Sequence, residues 1–263
     1  MDVELQNGEE VSALKIRVKF SKHGPVKYVG HLDMMRYFQK ANRRAQVDIC
    51  YSEGYSPHQI MSFASPLGVG MESDAEYFDM QVHSSLSSEE EIKRLNAVMA
   101  EGIQVTDYVL LPDNAKKSMT VTAATDYELL FRKGHELPAE NEMLADKLEE
   151  FLAQQEIIIL KKTKKSEKLT DIRPLIYSAS TFEPEEDDRY ESIALRFRLA
   201  SESGKSLNVK LFMESLYKFC GREYDSLAYQ TIRKEVYMFG EDGKFFPLIT
   251  AGSKILEAIK DTE

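Results

Sequence analysis

Two histidines sit where a side chain can reach a substrate. His31 precedes Asp33 by two residues in Gly30-His31-Leu32-Asp33, a spacing that suits proton transfer or a shared metal, and His58 follows Pro57 in a polar loop. The plainer reading is that Asp33 caps a helix while His31 packs at its entry. His31, Asp33 and His58 lack the dense ligand spacing of a metal site, so no metal and no cofactor is predicted. As a general acid or base, either histidine would serve only a metal-independent reaction.

His58 belongs to an unusual stretch, YSEGYSPHQIMSFASPLGVGMES, residues 51 to 73. Gly54 permits a sharp turn, Pro57 stiffens the exit, and Pro66-Leu67-Gly68 with Gly70 makes a second bend. Two adjacent turns can present backbone amides to an anion, with Tyr51, Ser52, Tyr55, Ser56 and Ser65 adding hydroxyls or ring faces. No GxxxxGK[ST] and no GxGxxG occurs, so the signal is compositional. The structural alternative is an elaborate crossover between two strands. If the stretch is a site, Tyr51, Tyr55, His58 and Ser65 should share one concavity with His31.

Charge points to the same region. The net charge of −10 argues against a polyanion partner, yet residues 14 to 58 hold nine Lys or Arg against three acids. Four of them, Arg36, Lys40, Arg43 and Arg44, fall on one side of a helix predicted over residues 34 to 45, opposite Met34, Met35, Phe38, Ala41 and Ala45. A second basic segment, residues 161 to 173, carries Lys162, Lys164, Lys165 and Arg173 and reads as a phosphate-contacting arm. Both segments also read as solvated surface balancing acids such as those of residues 183 to 188.

The elements that must position these residues follow from periodicity. Residues 14 to 20 alternate apolar and basic, a strand with one buried face, with a turn at His23-Gly24-Pro25 before the basic helix. Extended segments at 47 to 51 and 59 to 64 flank the loop. A strand at 76 to 82, a helix capped by Ser87 and a strand at 104 to 110 complete the order βαββαβ. A similar order restarts with strands at 127 to 132, 157 to 161, 192 to 199 and 231 to 239 and helices near 144 to 152 and 211 to 219. This predicts an α+β protein of two tandem ferredoxin-like domains with antiparallel sheets: residues 1–13 a flexible N-terminus, 14–118 the first domain and 119–263 the second. One continuous α+β sheet is the rival. No apolar run approaches the ~20 residues of a membrane helix. Cys50 and Cys220 form no disulfide framework and no leader is evident, so a cytoplasmic protein is expected.

The series Phe20, Gly30-His31-Leu32-Asp33, Arg43-Arg44, Tyr51-Ser52-Glu53-Gly54-Tyr55-Ser56-Pro57-His58, Ser65-Pro66-Leu67-Gly68-Val69-Gly70 and Glu76-Tyr77, with Asp171-Ile172-Arg173-Pro174 later, resembles the bacterial radical-SAM-linked protein family. The resemblance implies a partner: members are fused behind, or encoded beside, a cobalamin-binding radical SAM protein. Two cysteines cannot supply the three thiolates of a radical SAM cluster, so any radical chemistry falls to that partner. A looser architectural similarity is to CRISPR repeat-processing RNA endonucleases, which is analogy at the level of fold. The expected function is an accessory protein that binds RNA or another anionic substrate and presents it to a radical SAM enzyme. The alternatives are a protein-binding subunit with no nucleic-acid role and a metal-independent RNA endonuclease.

Overall fold

The computed structural model of the chain describes residues 13–162 and 167–260. The segment expected to be a flexible N-terminus lies, but for its last residue, outside the described residues. Chain order begins with strand β1 (Leu14–Lys22), helix α1 (His31–Arg44), strands β2 (Met61–Phe63) and β3 (Glu72–Val82), helix α2 (Ser88–Asn96) and strand β4 (Ile103–Leu110). A single turn, α3 (Ser118–Val121), leads into β5 (Thr122–Arg132) and α4 (Leu144–Leu152). Then come the paired strands β6 (Ile158–Lys162) and β7 (Glu167–Asp171), followed by β8 (Ile176–Phe182) and β9 (Tyr190–Glu202). The short β10 (Lys205–Ser206), helix α5 (Val209–Phe219), β11 (Tyr229–Phe239) and β12 (Phe245–Pro247) close the series.

The protein is a mixed α+β fold built on a large, mostly antiparallel sheet. Ten strands form it, in the order β10-β9-β5-β11-β3-β1-β4, with β8 beside β9, β12 beside β11 and β2 beside β3. Strands from residues 14–110 stay together, as do those from 122–239. Where the sequence suggests two separate sheets, one sheet crosses both halves. Strand β2 and the residues beside it cover β3 from Tyr77 to Val82, which leaves the start of β3 with an open edge. Strand β11 fills that edge in parallel, placing Ile232 and Arg233 against Glu72 and Ser73, which satisfies backbone groups an exposed edge would leave unpaired.

Helices line one face. Ile16, Val18 and Phe20 of β1 pack under Met34, Phe38 and Ala41 of α1, the apolar stripe that the 3.6-residue period predicts. Phe20, Phe38, Phe63 and Phe78 form an aromatic knot with ring centroids 4.6–6.1 Å apart. In the other half, Leu129, Phe131, Phe197 and Leu199 meet Leu148 and Phe151 of α4 and Phe212 and Leu216 of α5. The expectation that β1 buries one face only is corrected: Arg17, on the opposite face, is fully buried. Its guanidinium pairs with Asp79 at 2.7 and 3.1 Å and donates to the Leu248 and Lys116 carbonyls, so an arginine that reads as surface is core.

Helix α1 starts earlier than its sequence suggests. Gly30 is the N-cap, His31 opens the helix, and Asp33 lies within the first turn, 3.3 Å from Arg36. Asp33 therefore caps nothing, although its charge there still favours the positive helix end. Ser87 does cap α2, in a reciprocal capping box with Glu90.

Residues 252–260 strap the first half. Ser253 exchanges both backbone hydrogen bonds with Leu110, Ile255 N–H donates to Ser88 Oγ and Ile259 bridges Ser85. Gly252 makes the approach possible, since a Cβ there would meet the Leu110 carbonyl oxygen at 2.6 Å and Val109 Cγ2 at 2.7 Å. Gly252→Ala is expected to cost about 1–3 kcal/mol, the usual penalty of overpacking, as read by urea unfolding. An unchanged midpoint would show that the strap tolerates displacement.

Titratable groups crowd the seam between β3 and β11. His23 faces two carboxylates, Nε2 2.9 Å from Asp74 and Nδ1 3.2 Å from Glu72, while Lys27 and Lys234 approach the same acids. Hydrogen bonding to Asp74, reinforced by Glu72, raises His23 above the usual imidazole range despite burial. Burial pushes Asp74 up, but hydrogen bonds from His23 and Lys234 outweigh it and leave that carboxyl at about 2. The His23 contribution is complete below the unfolded value of about 6.5 and is lost as pH rises through the raised one. The urea midpoint should therefore fall as pH rises above about 6.5 and through the raised His23 value, and His23→Gln should remove much of that fall. An identical fall in the variant would assign it to other groups.

Candidate nucleic-acid interface

The unusual stretch begins as a protruding hairpin. Ile60 N–H donates to the Cys50 carbonyl and Ser52 N–H to the His58 carbonyl, both at 2.9 Å, with Tyr51 bridged to Gln59 between them. Gly54 turns the chain at φ +103°, a conformation glycine adopts without strain. Ser52 Oγ accepts the His58 N–H at 3.1 Å and lies 2.8 Å from its Nδ1, which stiffens the loop below its tip. Ser52 is half-buried; Tyr51, Gly54, Tyr55, Pro57 and His58 are exposed, and Tyr55 is fully so.

A single glutamine fastens this hairpin to α1. Gln59 is 4% exposed; its Nε2 donates to the Gln39 carbonyl (3.0 Å) and to the Tyr51 hydroxyl (3.4 Å), and its Oε1 accepts from Asn42 at 3.2 Å. Arg43 Nε reaches the same Gln39 carbonyl at 3.4 Å. The helix's basic face and the hairpin's base thus meet at one backbone oxygen. Arg36, Lys40 and Arg43 are exposed along this helix, as the helical period predicts. Arg44 is exposed too, but its guanidinium turns to the Val98 carbonyl just past α2 (3.0 Å) and over the Tyr37 ring, away from the hairpin. Sequence reasoning missed Gln59 and Asn42. The signal was Asn42 itself, a polar residue inside the apolar stripe one turn after Phe38.

The second bend does a different job. Arg233 donates to the Ser65 and Pro66 carbonyls (3.0 and 3.3 Å), Gln230 donates to the Gly70 carbonyl (2.9 Å), and Leu67 is buried. Ser65 and Gly68 therefore belong to the seam between the halves, and the expected single concavity divides into a solvent-facing hairpin and a structural bend. His31 sets its ring edge-on to Phe63 at 5.5 Å, which is packing at the helix entry. It lies on the first turn of α1, about two turns from the Gln39 carbonyl.

The lysine-rich arm is the paired strands β6 and β7. Lys162 ends β6, while Lys164 and Lys165 lie outside the described residues. The Arg173 guanidinium donates to the Leu152 carbonyl at the end of α4 (2.7 Å) and to the Ile176 carbonyl (3.2 Å). Asp171 accepts the N–H groups of Ile157 and Arg173, and Ile172 is buried, so the Asp-Ile-Arg-Pro string is a fold device.

Among the described residues no helix is long and apolar enough to cross a membrane. No curated protein matches the chain. Residues 15–209, most of the sequence and all of the hairpin–helix junction, match the family described as an uncharacterised protein conserved in bacteria, DUF2344. By that match the chain belongs to this bacterial family.

Proposed function

We propose that the chain binds RNA on the surface made by Arg36, Lys40 and Arg43 of α1 and the Tyr51–Tyr55 side of the hairpin. It would present that RNA to a radical SAM protein of the cobalamin-binding type. The observation that carries the reading is the Gln39 carbonyl shared by Gln59 and Arg43, which joins the exposed Arg43 guanidinium through Gln59 to the exposed Tyr51. Cations hold a phosphate backbone and rings stack on unpaired bases, the two recognition modes single-stranded RNA needs. In the same reading each half is a ferredoxin-like unit of order 2-3-1-4, divided near residue 118 and fused at the β3–β11 seam.

Filter binding of total cellular RNA across a salt series tests this. The triple variant Arg36→Ala, Lys40→Ala, Arg43→Ala should bind more weakly and with a salt slope smaller by about two, each single-strand contact contributing roughly 0.7. Tyr55→Ala should lose about 1–3 kcal/mol of binding with the slope unchanged, because stacking releases no counterions. Absence of salt-sensitive binding to any RNA pool by the wild type would end the proposal. Shortened RNA after incubation would favour the endonuclease reading with His31 or His58.

A second reading, a protein-binding subunit, is favoured by Tyr28, Leu32 and Val69, apolar residues each more than three-fifths exposed around the entry to α1. Leu32→Asp should abolish co-purification with the radical SAM partner if that face docks it, and leave RNA binding intact.

A further inference from the structure

The open face of the first half holds a cleft that neither reading uses. Its volume is about 220 Å³, and it lies between the end of the hairpin, β3 and the loop that follows β4. Ile60, Leu111 and Ala115 supply apolar wall, with Ser62 and Gln81 between them. Lys15, Lys116 and Lys117 stand on its lining. We propose that this cleft binds a small organic anion: a body of one or two rings carrying a phosphate or carboxylate group.

Charge balance is the first argument. Asp79 is the only carboxylate on the lining, and its charge is already committed. Oδ1 takes Arg17 Nε at 2.7 Å, and Oδ2 takes Arg17 Nη2 at 3.1 Å and the Ser118 N–H at 2.6 Å. Arg17 beneath it is fully buried and, among the described residues, pairs with no further carboxylate. Among the described residues none of the three lysines forms an ion pair; Lys15 Nζ donates only to the Asp113 carbonyl. The cleft therefore carries uncompensated positive charge over apolar wall, the pairing that selects an anion with a hydrophobic body rather than a bare ion.

Size narrows the class. Sites for drug-sized ligands run roughly 300–1,000 Å³, so this smaller cleft suits a one- or two-ring body.

The test uses the full chain and three probes: 1-naphthyl phosphate, 1-naphthol and inorganic phosphate, titrated with methyl NMR on Ile60 and Leu111. Naphthyl phosphate should bind at least about tenfold more tightly than either fragment, since one charge-assisted hydrogen bond is worth about that factor. It should also shift both methyl signals. Lys116→Ala with Lys117→Ala, two exposed changes that spare the core, should weaken it by about tenfold or more while leaving naphthol unchanged. Equal affinity for naphthol and naphthyl phosphate would overturn the proposal. So would an unaffected double variant, or signals that move elsewhere while Ile60 and Leu111 stay fixed.

Discussion

Glu76→Ala is expected to destabilise the protein by about 3–5 kcal/mol, the cost of leaving a buried charge without its partner. Arg233 is 3% exposed; Glu76 Oε1 receives its Nη1 at 2.8 Å, and no other carboxylate pairs with it among the described residues. Its remaining bonds go to the Ser65 and Pro66 carbonyls, and Nε has no partner. Urea unfolding of the full chain gives the value. Replacing both partners, Arg233→Met with Glu76→Leu, should recover most of the loss, because removing both charges together avoids the penalty of stranding one. A Glu76→Ala midpoint matching the wild type would mean that water reaches Arg233.

Asp79→Ala should cost about as much, again roughly 3–5 kcal/mol, for a related reason on the other side of the sheet. Arg17 would lose the one carboxylate it pairs with among the described residues while fully buried, keeping the Leu248 and Lys116 carbonyls. The Ser118 N–H would be orphaned at the same time. Asp79→Asn retains an acceptor for one of those three donors and should fall between the wild type and the alanine variant in thermal unfolding. Equal stability of Asn and Ala variants would show that charge, rather than the acceptor, is what Asp79 contributes.

Much of the architecture was legible because its signals are local. The phase of α1 follows from Met34, Phe38 and Ala41, and the exposure of Arg36, Lys40 and Arg43 follows from that phase. Ser87 and Glu90 announce the start of α2 three residues apart. What stayed hidden depends on distant partners. Arg17 reads as a surface cation, and nothing near it, or near Arg233, names the carboxylate that each is buried against. The Gly-rich stretch reads as special, yet its division into hairpin and seam depends on Gln230 and Arg233, far along the chain. Strand β8 eluded the pattern because, as an edge strand with mostly exposed or half-buried residues, it lacks the alternation that marks a buried face. Asp33 misled because aspartate suits both the N-cap and the first turn, and the choice fell to Gly30.

The strap bears on how the chain is made. Ile255 lies in the core of the first half, and Ser253 and Ile259 pair with Leu110 and Ser85. During synthesis the strands and helices of that half leave the ribosome long before these residues do. They must wait as an incomplete domain with part of the core open to water and a backbone edge unpaired beyond β4. Contacts this remote in sequence slow the last step of folding, and the waiting species is the one most exposed to aggregation. The growing chain thus has a vulnerable interval that closes only when residues 253 to 259 arrive.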